Sequence, residues 1–292
     1  MQLKVREIFA LVLRYVPVRG RWRFIQFICG DIKRPTPVIA RIPHVGVMEL
    51  DLSSDLEREI FVSGTHGDEH LVSKWILKSL VLQGSVFVDV GANVGYHTIR
   101  TARHLRKLGG SVIAFEPIQA NFDRLLTNVR LNKLGNIRAE RIGLADKEGD
   151  VEVSRSTQGS SNFSLGSTGE FSELIHLVSF DDYIISNNIG RIDSIKLDIE
   201  GAEVRALRGM QKTIERLRPV LIVEINPMWT RRMGTSTTEL IDMLSGFKYI
   251  LFSIKTRDIR NREEMVSYVD PNGNREINVI AIPKEKYGSS LI

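Results

Sequence analysis

The sequence predicts an α/β fold built on a mostly parallel sheet with helices on both faces, and three observations carry that expectation. From residue 86 onward, short β-branched runs alternate with amphipathic stretches, the pattern of strands joined by crossover helices. The run Val220-Leu221-Ile222-Val223 holds no polar residue, as expected of a strand covered on both faces. The first strand of the series runs through Asp89-x-Gly91-x-x-x-Gly95 straight into a helix, the layout of a phosphate- or nucleoside-binding turn.

Taken in order, residues 85–90 read as a buried strand, and 96–108 as a helix with Ile99, Ala102 and Leu105 on one face. A strand over 111–115 ends at Glu116-Pro117, where proline stops the ladder. A helix over 118–131 and a strand over 137–143 follow. Residues 150–154 alternate like a strand, and 156–170, rich in Ser and Gly, read as a long loop. A strand over 174–178 resumes the sheet, and Ser179-Phe180-Asp181-Asp182 has the form of a helix N-cap with acids in its first turn. Strands at 194–197 and 219–225 bracket a helix over 202–216. After a helix over 237–245, strands at 249–254 and 277–282 close the sheet as an antiparallel pair.

At 292 residues with 42% hydrophobic content, the chain can fill one α/β core. No apolar run reaches the eighteen or so residues of a membrane span. The N-terminus lacks the layout of a secretory signal, and the single cysteine, Cys29, excludes an internal disulfide and fits a reducing cytoplasm. Residues 1–45 carry nine Lys/Arg against two acids, a net of +7 in a chain of +5, so the basic character belongs to the N-terminal end. The expected division is a basic helical or extended arm over 1–60 and a catalytic domain over 61–292. Residues 1–45 either cover the core with their charges solvated or touch an anionic membrane face from the cytoplasm. Nucleic acid is not expected as a partner, since the arm lacks interleaved aromatics and the rest is slightly acidic.

The glycine turn narrows the ligand. A dinucleotide fingerprint, G-x-G-x-x-G, has its second glycine where this chain has Asn93, and close approach to a pyrophosphate then becomes harder. S-adenosyl-L-methionine carries no phosphate and tolerates Asn93. Asp89, at the strand end, can meet its ammonium group, and Glu116, closing the next strand, can accept hydrogen bonds from the two ribose hydroxyls. Methyl transfer needs the acceptor atom close to the methyl and a base for any proton that atom carries. The candidates are Asp198, Glu200 and Glu224, with Glu203 nearby and His97 just inside the first helix. Which acid is the base stays open, and Glu203 also reads as a helix cap. The segment His66-Gly67-Asp68-Glu69-His70 has Gly67 where the zinc pattern H-E-x-x-H requires Glu, so no metal is expected. Glu69 is placed beside the cofactor turn or at a helix start. On the acceptor side, residues 160–164 offer hydroxyl and amide groups, and Trp229, after the fifth strand, is a sugar platform or a loop anchor.

Several blocks resemble the FkbM-type family of class I S-adenosylmethionine-dependent methyltransferases. They are VDVGANVGY at 88–96, AFEP at 114–117, NVRLN at 128–132, KLDIEGAE at 196–203, RPVLIVE at 218–224 and NVIAIP at 278–283. The resemblance implies a seven-stranded sheet of order 3-2-1-4-5-7-6 with strand 7 antiparallel. It also implies O-methylation of a sugar, glycolipid or secondary metabolite. By the same resemblance Asp89, Gly91, Ala92, Asn93 and Gly95 line the methionine part of the cofactor. Glu116 holds the ribose, Pro117, Gly143 and Leu144 sit at the adenine, and Asp198 lies nearest the methyl. Two other readings stay open: a nicotinamide-dependent oxidoreductase, and a non-catalytic glycan-binding module that keeps the fold.

Overall fold

The computed structural model describes residues 34–155, 163–165, 171–256, 258–269, 273 and 276–288. Most of the basic segment, Cys29 and residues 160–162 therefore lie outside the described residues. The described chain opens with an antiparallel hairpin, β1 (Pro37–Ile42) and β2 (Gly46–Asp51), and two helices, α1 (Asp55–Ser63) and α2 (Glu69–Ser79). Next come β3 (Val86–Val90), α3 (Tyr96–Leu105), β4 (Ser111–Phe115), α4 (Gln119–Leu131) and β5 (Ile137–Glu140). A second group follows: β6 (Gly143–Leu144), β7 (Gly149–Arg155), β8 (Phe163–Leu165) and β9 (Phe171–Val178). The chain then gives α5 (Phe180–Ser186), β10 (Ser194–Leu197), α6 (Glu203–Arg208), α7 (Gln211–Leu217) and β11 (Val220–Ile225). It ends with α8 (Pro227–Arg232), α9 (Thr237–Gly246), β12 (Tyr249–Ser253), β13 (Ile259–Arg260), α10 (Arg262–Val269) and β14 (Ile277–Pro283).

The main sheet runs β13-β12-β14-β11-β10-β3-β4-β5. From β5 to β11 every pairing is parallel, and β14 is antiparallel to both β11 and β12. The path β5-β4-β3-β10-β11-β14-β12 reproduces the order 3-2-1-4-5-7-6. The expected count of seven is corrected to eight by β13, whose two residues pair with Leu251 and Phe252 at the edge. A two-residue strand is too short to leave a periodic signal.

Three further expectations are corrected. The strand over 137–143 is two strands, because β6 leaves the main sheet and pairs with β9. The strand over 174–178 does not resume the main sheet; β6, β9, β7 and β8 form a separate four-stranded sheet, and β8 interrupts the expected loop. The helix over 202–216 breaks into α6 and α7 around Gly209, where a Cβ would lie 1.9 Å from the Ala145 carbonyl oxygen. That carbonyl forces the close backbone approach that only glycine permits.

Both sheet faces are buried. Phe87, Ile222 and Ile280 pack on one side with Met48, Leu50, Phe61 and Ile76 from the hairpin and first helices. Val88, Leu197 and Val223 face Phe180, Leu207 and Leu244 on the other. Residues 37–60, placed with the arm in the expected division, contribute Val38, Ile42, Met48, Leu50 and Ile60 to this core. Fully buried Asn128 ties this layer to the glycine turn. Its Oδ1 accepts from Glu49 N (2.6 Å), and its Nδ2 donates to Val94 O (2.8 Å) and Glu49 O (3.3 Å). Asn128→Ala strands these backbone groups, so the urea midpoint is expected to fall by the equivalent of about 1–3 kcal/mol with the denaturant slope unchanged. An unchanged midpoint would show that the tie carries no stability.

Candidate functional site

At the carboxyl ends of β3, β4, β10 and β11 lies a cavity of 310 Å³. Open α/β sheets bind ligands at this edge. The turn after β3 forms its floor. Gly91 has φ +79° and packs so tightly against the next loop that a Cβ would sit 1.9 Å from the Asp198 carbonyl oxygen. The Gly91 and Ala92 amides both donate to Phe115 O at 3.0 Å. Gly95 caps α3 in the left-handed region, with Leu125 against its α-carbon. Asn93 also has a positive φ, and its amide donates to Glu116 Oε2 at 2.8 Å.

Two acids flank this turn. Asp89 is fully buried; Thr98 Oγ1 donates to its Oδ2 at 2.5 Å, while its Oδ1 has no partner among the described residues. Glu116 accepts from the Asn93 amide, the Ile118 amide (3.1 Å) and Asn121 Nδ2 (3.4 Å). Burial outweighs those hydrogen bonds and, with the Asp89 charge, pushes its carboxyl up to about 7. Pro117, Gly143 and Leu144 line the cavity beyond Glu116, and Val151, Val153 and Ile175 of the four-stranded sheet add an apolar wall.

The opposite end is acidic. Lys196, buried in β10, donates to Asp198 Oδ2 at 2.5 Å. Burial opposes its charge, but Asp198, Asp89 and Glu69 outweigh that and raise its pKa. Glu203 accepts from the Ile199 amide (3.0 Å) and the Gly201 amide (3.2 Å), so its carboxylate braces the loop that carries Asp198 and Glu200. A Cβ on Gly201 would lie 2.5 Å from the Trp229 backbone, which explains the glycine in D-x-E-G-A-E. Glu200 has φ +55°, and burial with the charges of Asp198, Glu203 and Glu276 pushes its carboxyl up to about 8. Glu224, at the end of β11, is raised well above the ordinary range by burial, by Asp198 and by a hydrogen-bonded neighbour, Glu276.

The structure brings Asp89, Gly91, Ala92, Asn93, Glu116, Pro117, Gly143, Leu144, Asp198, Glu200, Glu224, His97 and Glu69 to one cavity. Gly95 stands behind the turn. Buried His97 bonds Glu69 through Nε2 and Ser73 Oγ through Nδ1 (3.2 Å). Burial opposes the Glu69 charge, yet His97, Lys196 and His66 hold its carboxyl down at about 2. Sequence reasoning missed Glu276, which lies just before β14 in a stretch without periodicity, and it treated His66 only as a metal ligand. His66 lines the cavity with Nδ1 bonded to Glu59 Oε2 at 2.6 Å. Met233 lines the cavity and Trp229 does not; the Trp229 ring is covered by the Arg232 guanidinium, 4.6 Å from its centroid. Among the described residues no group of three or more His, Cys, Asp or Glu side chains is arranged to hold a metal ion. No helix among them is long and apolar enough to cross a membrane.

The chain is similar to several known proteins. The Hexuronic acid methyltransferase AglP of Haloferax volcanii is 31% identical over 144 residues, 49% of this chain and 57% of that protein. Methyltransferase 1 of Beauveria bassiana is 25% identical over 162 residues, 48% of this chain and 64% of that protein. The chain thus spans less than two thirds of either relative. A crystal structure of the Methyltransferase FkbM from Methylobacillus flagellatus aligns with 20% identity and a TM-score of 0.44, covering 70% of this chain and 47% of that one. Residues 89–251, from the acid that opens the glycine turn to the middle of β12, match the model of the methyltransferase FkbM domain, and the chain belongs to that family.

Proposed function

We propose that the chain binds S-adenosyl-L-methionine along the carboxyl edge of β3, β4 and β10 and methylates a hydroxyl of a sugar, glycolipid or secondary metabolite. The observation that carries this reading is Asp89: a buried carboxylate on the cavity wall with one oxygen left unpartnered. A bare buried carboxylate oxygen is costly, and a ligand ammonium group satisfies it. Asn93, with its side chain and positive φ where a dinucleotide site has glycine, disfavours a nicotinamide cofactor.

Gly91, Ala92, Asn93 and Gly95 hold the turn against the methionine part, and Glu69 stands beside it through His97. Glu116 faces the ribose hydroxyls, and Pro117, Gly143 and Leu144 continue into the apolar wall, which suits an adenine ring. Bound there, the cofactor supplies an electrophilic methyl group on a sulfonium. Asp198, Glu200 and Glu224 then face the acceptor and hydrogen-bond its hydroxyls. The hexuronic acid relative supports a sugar acceptor. We further place the protein in the cytoplasm without a nucleic-acid partner, with residues 1–45 as a peripheral contact to anionic membrane. Deleting residues 1–36 is expected to abolish co-sedimentation with anionic liposomes, and unchanged pelleting refutes that contact.

Calorimetry with S-adenosylhomocysteine tests the cofactor. Saturable binding is expected, weakened about tenfold to a hundredfold by Asp89→Asn, the loss of a charged hydrogen bond of roughly 1.5–3 kcal/mol. Binding of NADH with none of S-adenosylhomocysteine overturns the reading. Mass spectrometry of glycans and lipids from cells with and without the gene then seeks the loss of one methylene increment, about 14 Da.

A further inference from the structure

The geometry points to His66, oriented by Glu59, as the base that takes the proton from the acceptor hydroxyl. This rests on the hydroxyl-acceptor reading above and adds a catalytic residue to it. Glu59 sits on α1 and His66 in the turn before α2, and the Nδ1 proton is directed at Glu59 Oε2 (2.6 Å). That bond fixes the ring and its tautomer, leaving Nε2 with its lone pair and with no partner among the described residues. The ring lines the cavity at its acidic end and remains 41% exposed, reachable by an acceptor entering from solvent.

The acids around it are engaged otherwise. Asp198 is held by the Lys196 ammonium, Glu203 by two backbone amides, and Glu224 shares a hydrogen bond with Glu276. Glu200, pushed up to about 8, keeps its proton at neutral pH. The charges that face His66 are Glu59 from α1, Glu69 from the start of α2 and Glu276 from the segment before β14. Asp68, two residues on, is paired with Lys255. The Glu59 hydrogen bond outweighs burial and raises the imidazole above its ordinary 6.5, toward the pH at which a base is most effective. In the transfer the acceptor O–H bond breaks and its proton passes to Nε2. The oxygen bonds the methyl carbon, and the pair of the broken carbon–sulfur bond stays on sulfur.

Protein labelled with ¹³C-histidine and saturated with S-adenosylhomocysteine reports the ring directly. The His66 signal, identified by its loss in His66→Asn, is expected to titrate above 6.5 and to move down in Glu59→Gln. With radiolabelled methyl donor and a glycan and lipid extract of the source cells, His66→Asn is expected to lower kcat at least a hundredfold with the KM for donor unchanged. Imidazole added to His66→Gly restores part of the rate, a rescue that a structural role cannot give. Because the base acts deprotonated, Glu59→Gln moves the acid limb of kcat/KM to lower pH, by the shift seen in the ring signal. A His66→Asn protein with wild-type kcat, or an acid limb that stays put in Glu59→Gln while the ring signal moves, overturns the base and leaves the methyltransferase reading intact. Wild-type protein that binds S-adenosylhomocysteine but methylates nothing in the extract overturns the hydroxyl-acceptor reading, and the base falls with it.

Discussion

Gly91→Ala is expected to abolish S-adenosylhomocysteine binding and to destabilise the whole domain. The added methyl meets two penalties at once. Gly91 has φ +79°, a region that costs an alanine about 1–2 kcal/mol. Its Cβ would also sit 1.9 Å from the Asp198 carbonyl oxygen, so the two loops must part. Overpacking of that kind adds roughly 1–3 kcal/mol. Parting them displaces Asp198 and the Gly91 amide that Phe115 O accepts, and so moves both halves of the site together. Gly149→Ala serves as the control, since nothing lies within 4 Å of its added carbon and its φ is not positive. Denaturation midpoints and calorimetry on the two variants read both effects. A Gly91→Ala protein of wild-type stability and affinity would mean that the turn has room to relax and does not form the floor of the site.

The parallel half of the sheet was legible because its strands are buried on both faces and announce themselves as apolar runs. Val220 to Ile225 is the clearest case, buried at every position. The four-stranded sheet was not legible as a separate body. Strand periodicity identifies a strand and its faces, but not its partner, and nothing in the residues of Phe171–Val178 marks which sheet it joins. The hairpin Pro37–Asp51 was hidden by the basic run that leads into it. Arg34 and Arg41 made the segment look like an arm, while Val38, Ile42, Met48 and Leu50, on the inward face, are buried.

The cofactor half of the site was readable in the same way, because its residues sit at strand ends and in turns whose spacing is fixed by the fold. Asp89 and Glu116 end adjacent parallel strands, so their proximity follows from topology alone. What spacing could not show is that Gly91 and Gly201 serve loop-to-loop contacts as much as ligand approach. The acceptor half depends on residues far apart in sequence. Glu276 meets Glu224 only because β14 turns back antiparallel onto β11. His66 faces the cavity only because α1 brings Glu59 to its ring.

The clustered acids make a second large effect: without ligand, the protein is expected to lose stability steadily as pH rises from 6 to 9. Glu116 and Glu203 titrate at about 7 and Glu200 at about 8, each raised chiefly by burial, and Glu224 lies well above its ordinary value for the same first reason. A carboxyl raised in the folded state binds its proton more tightly there than in the unfolded chain. Its contribution is complete below the unfolded value of 4.5 and is lost as pH climbs through the folded value. Each such group gives a slope of at most about 1.4 kcal/mol per pH unit, and neighbouring acids lose their protons as a coupled set. His66, also raised, adds to the slope with the same sign. The lowered acids do not oppose it, since Glu69 at about 2 and Asp51 below its ordinary value have delivered their contribution by pH 5. A net loss of several kcal/mol between pH 6 and 9, steepest at the acid end of that range, is therefore expected in urea titrations. Glu224→Gln removes one titrating member and relieves its neighbours, so its profile is flatter and its stability at pH 9 higher than wild type. A bound sulfonium favours the ionised acids, and S-adenosylmethionine affinity then gains more with pH than that of the uncharged thioether product. A stability profile that is level or rising over this range would mean that the four carboxyls are ionised and solvated in the ligand-free protein, and the acidic wall would have to be redrawn as an open, hydrated edge.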